Sequence, residues 1–143
     1  MSNRRAFIKT SCVACAGIAG TGFLLSLLSS CKTTALLNAE TTDNIIRVSV
    51  SAFADKKIQV VRSKSLEFDV LVVKNSPEKY TALLMKCTHR ENPLTATDKG
   101  LFCPSHGSSF DLDGNVTEEP ATSPLKRFKT QIENETILIY LQS

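Results

Sequence analysis

From residue 44 onward, apolar and polar residues follow one another in short runs with the period of strands rather than of helical turns. Ile46, Val48, Val50 and Ala52 alternate with Arg47, Ser49 and Ser51, which marks a strand with one buried face. Further strand signals lie at Ile58 to Val61, Phe68 to Val73, Tyr80 to Met85, Leu101-Phe102, Ser109 to Leu112, Phe128 to Ile132 and Thr136 to Leu141. Turn chemistry separates them at Asp55-Lys56-Lys57, Asn75-Ser76-Pro77, Asp98-Lys99-Gly100, Asp113-Gly114-Asn115 and Glu133-Asn134-Glu135. Asp113-Gly114 is the strongest of these hairpin signals. Short strands at this spacing predict an all-β sandwich or barrel over 44–143.

The first thirty residues differ in kind. Arg4, Arg5 and Lys9 precede an apolar run from Cys12 to Leu28, and Ser29-Ser30-Cys31-Lys32 follows it. That order is a charged region, an apolar region and a small-residue boundary, the layout of an export signal. The pair Arg4-Arg5 with Phe7-Ile8-Lys9 resembles a twin-arginine signal, which implies export of an already folded protein. Leu28-Ser29-Ser30-Cys31 resembles a bacterial lipobox, which implies lipid attachment at Cys31. The alternative is an uncleaved anchor, although the 17-residue run is short for a span and holds Gly17, Gly20 and Gly22. Cys12 and Cys15 read as small apolar filler of the same run. Residues 1–30 are therefore assigned as an export signal and 31–43, with Thr33, Thr34, Thr41 and Thr42, as a tether.

Composition narrows the function. Of the 143 residues 42% are hydrophobic and 22% charged, which is ordinary for one globular domain. The formal net charge of +3 resides in residues 1–30, where three basic residues meet no acid, so the body is formally neutral. A neutral body has no electrostatic footprint for nucleic acid. The composition also excludes collagen-like, disordered and polytopic membrane classes.

Both histidines of the chain lie beside the two cysteines of the body, as Cys87-Thr88-His89 and Cys103-Pro104-Ser105-His106, with residues 90–102 between. Such pairs are metal ligands by default. In an extended tip, residues i and i+2 point the same way, so Cys87 and His89 converge. Pro104 fixes one dihedral of the second loop, and Gly107 permits close backbone approach. Three readings of these residues stand side by side: an iron-sulfur centre, a mononuclear Cys2His2 zinc site, and a Cys87–Cys103 disulfide with incidental histidines.

Cys-x-His followed by Cys-x-x-His-Gly-Ser, continued by Ser109-Phe110-Asp111-Leu112-Asp113-Gly114, resembles the Rieske iron-sulfur family. The likeness extends through Pro120-Ala121, Pro124-Leu125 and Phe128 to the terminal hairpin. It implies a Rieske-type antiparallel β sandwich or barrel with a small cluster-binding subdomain built from two loops, about 85–117. It implies as cofactor a 2Fe-2S cluster with Cys87 and Cys103 on one iron and His89 and His106 on the other. Two ferric ions, two sulfides and two thiolates sum to zero charge, whereas a four-cysteine cluster starts more negative, so histidine ligation raises the potential, in general to roughly −150 to +300 mV. Ser108 matches a serine that donates to a bridging sulfide. Phe110 stands where high-potential members carry a tyrosine, which implies an intermediate potential. Members from quinol-oxidising complexes brace the two loops with a disulfide, and the matching positions here are Asn92 and Ser105, as in the disulfide-free loops of Rieske ferredoxins and oxygenases. Residues Glu118 to Pro124 match the family's proline-bearing loop over the cluster, with Glu119 where glycine is common.

The function expected is a one-electron carrier in the bacterial cell envelope, membrane-anchored through Cys31 or an uncleaved anchor and facing the periplasm. Its partner would be a redox protein: a cytochrome, a quinol-linked donor or a larger oxidoreductase. Rival expectations are the iron-sulfur subunit of a larger respiratory or molybdenum oxidoreductase complex and, from another class, a zinc-stabilised binding lipoprotein. An electron carrier or oxidoreductase subunit is expected rather than an enzyme by itself, because no residue stands out for bond chemistry. A full Rieske oxygenase is not expected, because both histidines are committed and a mononuclear iron domain would need more.

Overall fold

The computed structural model describes residues 36–142. The export-signal and Cys31 assignments lie outside them. Among the described residues no helix is long and apolar enough to cross a membrane.

The larger sheet is built from β1 (Leu36–Asn38), β2 (Thr41–Thr42), β3 (Ile45–Ser49), β4 (Ile58–Arg62), β5 (Val70–Ser76) and β6 (Lys79–Leu84). A 3-10 turn over Val50–Phe53 follows β3, where the sequence suggested that the strand continued. The smaller sheet takes β7 (Thr95–Ala96), β8 (Leu101–Phe102), β9 (Ser109–Phe110) and β10 (Val116–Glu118). The chain then returns to the larger sheet with β11 (Arg127–Glu133) and β12 (Thr136–Tyr140). The larger sheet runs β1-β4-β5-β6-β11-β12-β3-β2 and the smaller β10-β9-β8-β7. The hairpin expected at Asp113-Gly114 is present, joining β9 to β10.

Residues 36–42 are not a free tether. β1 pairs in parallel with β4, Leu36 beside Val60 and Asn38 beside Arg62, while β2 pairs with β3, Thr41 beside Ile46. The two outer strands of the larger sheet are therefore two halves of one short strap, so the sheet curls round until its edges meet there. A hydrogen bond of 2.5 Å between the Thr41 and Ser63 hydroxyls fastens the strap, and the Ala39 N–H donates to the Arg62 carbonyl at 2.9 Å. The sequence hides this because Leu36-Leu37-Asn38 is too short to show a period.

Burial explains the pattern that the strands wrote into the sequence. In β5, Val70 and Val72 face one apolar cluster with Ile46, Phe128 and Ile139, while Leu71 and Val73 face another with Leu83, Leu101 and Phe110. A strand covered on both faces reads as continuous apolar Val-Leu-Val-Val. β3, covered on one face, alternates: Ile46 and Val48 are buried and Arg47 and Ser49 exposed. The second cluster includes Cys87 and Cys103, so the smaller sheet and both cysteines share one core with the outer face of β4–β6.

Candidate metal centre

Two loops of like construction carry the candidate ligands. β6 ends at Leu84, the Met85 N–H is held by the Asp69 carbonyl, and Lys86 pairs with Pro93 before the first loop opens at Cys87. Cys87 N–H donates to Asn92 O and Glu91 N–H to Cys87 O, both at 2.8 Å, with Glu91 at φ +54°. The second loop follows β8: Cys103 N–H donates to Ser108 O at 2.8 Å and Gly107 N–H to Cys103 O at 3.0 Å. Gly107 has φ +84°, and a Cβ there would meet nothing within 4 Å. Its positive φ is the left-handed backbone that closes the loop. At Gly100 protein backbones approach each other closely, and a Cβ there would collide with the Phe110 carbonyl oxygen.

The side chains named from the sequence meet as two pairs, thiol beside thiol and imidazole beside imidazole. Cys87 and Cys103 are buried free thiols in one core. The His89 and His106 rings lie edge to face with centroids 5.0 Å apart. His106 is exposed and His89 half-buried. Burial pushes the Cys103 thiol up, but the Ser105 and His106 N–H groups, the Cys87 thiol and the Ser105 hydroxyl outweigh it, leaving the thiol below its ordinary range. An electropositive cradle of N–H groups around sulfur is what a thiolate ligand needs.

One atom tests the fit of a metal group directly. The Nδ1 of His89 is buried and has no hydrogen-bond partner. Orphaned buried nitrogen is costly unless something binds it, and a metal ion does so. Among the described residues no three His, Cys, Asp or Glu side chains converge closely enough to hold one ion. A mononuclear zinc site would need four donors within about 2.0–2.3 Å of one point. Thiols paired with each other and imidazoles paired with each other suit a centre with two metal positions.

Ser108 is fully buried, and its hydroxyl oxygen accepts the Ala121 N–H at 3.0 Å. Phe110 is 2% exposed in the core that holds both cysteines. The segment Glu118 to Pro124 lies against both ligand loops, for Thr88 Oγ1 also donates to the Ser123 carbonyl at 2.6 Å. Thr88 escaped the sequence reading as a site residue, and Ala121 and Ser123 were legible only as members of the loop Glu118 to Pro124, since nothing in one sequence pairs Thr88 with a position 35 residues on.

Comparison with known proteins agrees with this geometry. The Rieske [2Fe-2S] domain family matches residues 47–129. The cytochrome b6-f complex iron-sulfur subunit of Chlorobaculum thiosulfatiphilum is 36% identical over 83 residues, 54% of this chain and 45% of that protein. The cytochrome b6-f complex iron-sulfur subunit 2 of Nostoc sp. is 40% identical over 53 residues, 37% of this chain and 28% of that one. The chain thus spans less than half the length of these relatives. The cyanobacterial plasma membrane Rieske protein PetC3 from Synechocystis PCC 6803 superposes with a TM-score of 0.54 at 25% identity, over 64% of this chain and 93% of that one. Family match, all-β architecture and paired sulfur and imidazole donors coincide: the chain belongs to the Rieske [2Fe-2S] domain family, whose cofactor is a 2Fe-2S cluster.

Proposed function

We propose that this protein is a one-electron carrier, tethered to a membrane and facing the periplasm, in which Cys87 and Cys103 hold one iron and His89 and His106 the other. The observation that carries the ligand assignment is the buried, unpartnered Nδ1 of His89 beside the His106 ring, with two free buried thiols in the same core. When bound, the cluster takes up and releases a single electron. The chain's own residues do the rest. Ser105 and His106 N–H groups support the Cys103 sulfur, and the apolar core of Leu101, Phe110 and Leu125 keeps water from the cysteine side. Exposed His106 marks the edge at which a redox partner docks.

The partner is a cytochrome, a quinol-linked donor or a larger oxidoreductase, a reading supported by relatives that are subunits of cytochrome b6-f complexes. The same relatives favour a second reading, an iron-sulfur subunit held in a larger complex. Anchoring rests on the sequence, through a lipid on Cys31 or an uncleaved apolar run, after export of the twin-arginine type. Asn92 and Ser105 leave the two loops without a disulfide brace of their own.

Expression of the full chain with fractionation tests the tether: it is found in the membrane fraction, and a Cys31→Ala variant with the run cleaved is released. Retention of the released variant's partner complex at high mass on size exclusion would favour the subunit reading, and elution near the mass of a monomer the free carrier.

A further inference from the structure

Each ligand loop closes on its own backbone, Cys87 to Asn92 in the first and Cys103 to Ser108 in the second. Besides the contacts of the Cys87 thiol with Cys103 and of the His89 ring with His106, a third segment ties the loops to each other. Ser123 O accepts from the Thr88 hydroxyl in the first loop, and two residues earlier Ala121 N–H donates to the Ser108 hydroxyl oxygen in the second. Ala121 is itself 1% exposed and packed in the core beside Cys87 and Cys103, so this segment is a fixed support. On the side of the first loop, the Thr88 hydroxyl is the side-chain fastening, and Thr88 sits between the two residues of that loop assigned as ligands.

We infer that Thr88 is a positioning residue for the cluster: its hydrogen bond to Ser123 clamps the first ligand loop to the segment that Ser108 and Ala121 fasten to the second. This rests on the ligand assignment proposed above. The clamp supplies by hydrogen bonds the cross-loop bracing that Asn92 and Ser105 cannot supply by sulfur. Its physical effect is on Cys87 and His89 together, because Thr88 fixes the backbone from which both project. Loss of the clamp frees the loop to open and lets chelator or water reach the iron positions, without removing a ligand.

The test uses the purified full chain in detergent, as wild type and as Thr88→Val, Thr88→Ala and Thr88→Ser. The readouts are the rate at which visible circular dichroism decays in excess chelator and the electron paramagnetic resonance line shape of the reduced protein. Valine keeps the shape of threonine at this exposed position and removes the donor. A net hydrogen bond is worth roughly 0.5–1.5 kcal/mol, so Thr88→Val and Thr88→Ala should lose the cluster roughly two- to tenfold faster, with broadened resonance lines. Thr88→Ser, which keeps the donor, should stay within about twofold of wild type. Wild-type decay rates and line shapes in Thr88→Val and Thr88→Ala would overturn the inference, as would equal acceleration in all three variants. A wild type that holds no iron overturns instead the ligand assignment, and shows it before any variant is compared.

Discussion

The Ser108 hydroxyl oxygen accepts the Ala121 N–H at 3.0 Å from a position with no solvent exposure. That bond occupies a lone pair and leaves the hydroxyl proton to donate elsewhere. In the ligand assignment proposed above, the hydroxyl would donate a hydrogen bond to a cluster sulfide, which would stabilise the more negative reduced state. Ser108→Ala should therefore lower the midpoint potential measured by voltammetry. It should also reduce stability by about 1–3 kcal/mol, because a buried N–H loses its acceptor. An unchanged midpoint would show that the serine serves only the loop.

Phe110 lies in the same core as both cysteines and has no donor to offer their sulfurs. Phe110→Tyr places a hydroxyl there and should raise the midpoint potential, since donation to a ligand sulfur again favours the reduced state. A midpoint that stays put or falls would count against this account of the intermediate potential.

The strap makes a prediction about stability rather than redox chemistry. Leu37 is half-buried against the core of Ile46, Val61 and Val70, midway along β1. Leu37→Ala should lower stability by about 1–2 kcal/mol, below the usual range for a fully buried leucine. Denaturant unfolding followed by far-ultraviolet circular dichroism measures it. A loss under a few tenths of a kcal/mol would mean that residues 36–42 behave as the tether the sequence suggested.

Asp111 closes the turn after β9. Its Oδ1 accepts the Asp113 and Asn115 N–H groups and its Oδ2 the Asn115 side-chain amide. Burial pushes its carboxyl up, but bonds from the Asn115 side chain, then from the Asn115, Asp113 and Gly114 N–H groups, outweigh burial and hold it below the usual range. A carboxyl held low in the fold favours the folded state once ionised, so its contribution is complete above the unfolded value of about 3.9 and is lost as pH falls through the lower folded value. The melting temperature of the wild type should drop below about pH 4 by more than that of Asp111→Ala. At neutral pH the variant should already be less stable by roughly 1–3 kcal/mol. Parallel acid profiles would remove Asp111 from this role.

Much of the fold was readable because strands leave a period. Ile46 and Val48 against Arg47 and Ser49 announced a strand with one wet face, and Asp113-Gly114 announced the hairpin that the structure contains. Strands of two or three residues, such as β1, β2, β7 and β10, carry no period, and their existence depends on partners far along the chain. The same division holds at the site. Cys87, His89, Cys103 and His106 are rare residue types at metal-ligand spacing, so the sequence pointed to them directly. Thr88, Ala121 and Ser123 are common types, and although the loop Glu118 to Pro124 was legible, their individual hydrogen bonds arise only when separate loops meet. At Gly107 close approach and positive φ ask for the same residue type, and the backbone adds the φ of +84° that one sequence does not show.

The central claim is that Cys87, Cys103, His89 and His106 hold a 2Fe-2S cluster. Low-temperature electron paramagnetic resonance of the dithionite-reduced full chain, with iron and acid-labile sulfide assays on the same sample, tests it most directly. The account predicts a rhombic signal of low average g and two irons with two sulfides per chain. A silent sample with stoichiometric zinc would contradict it and leave a zinc-stabilised binding protein in its place.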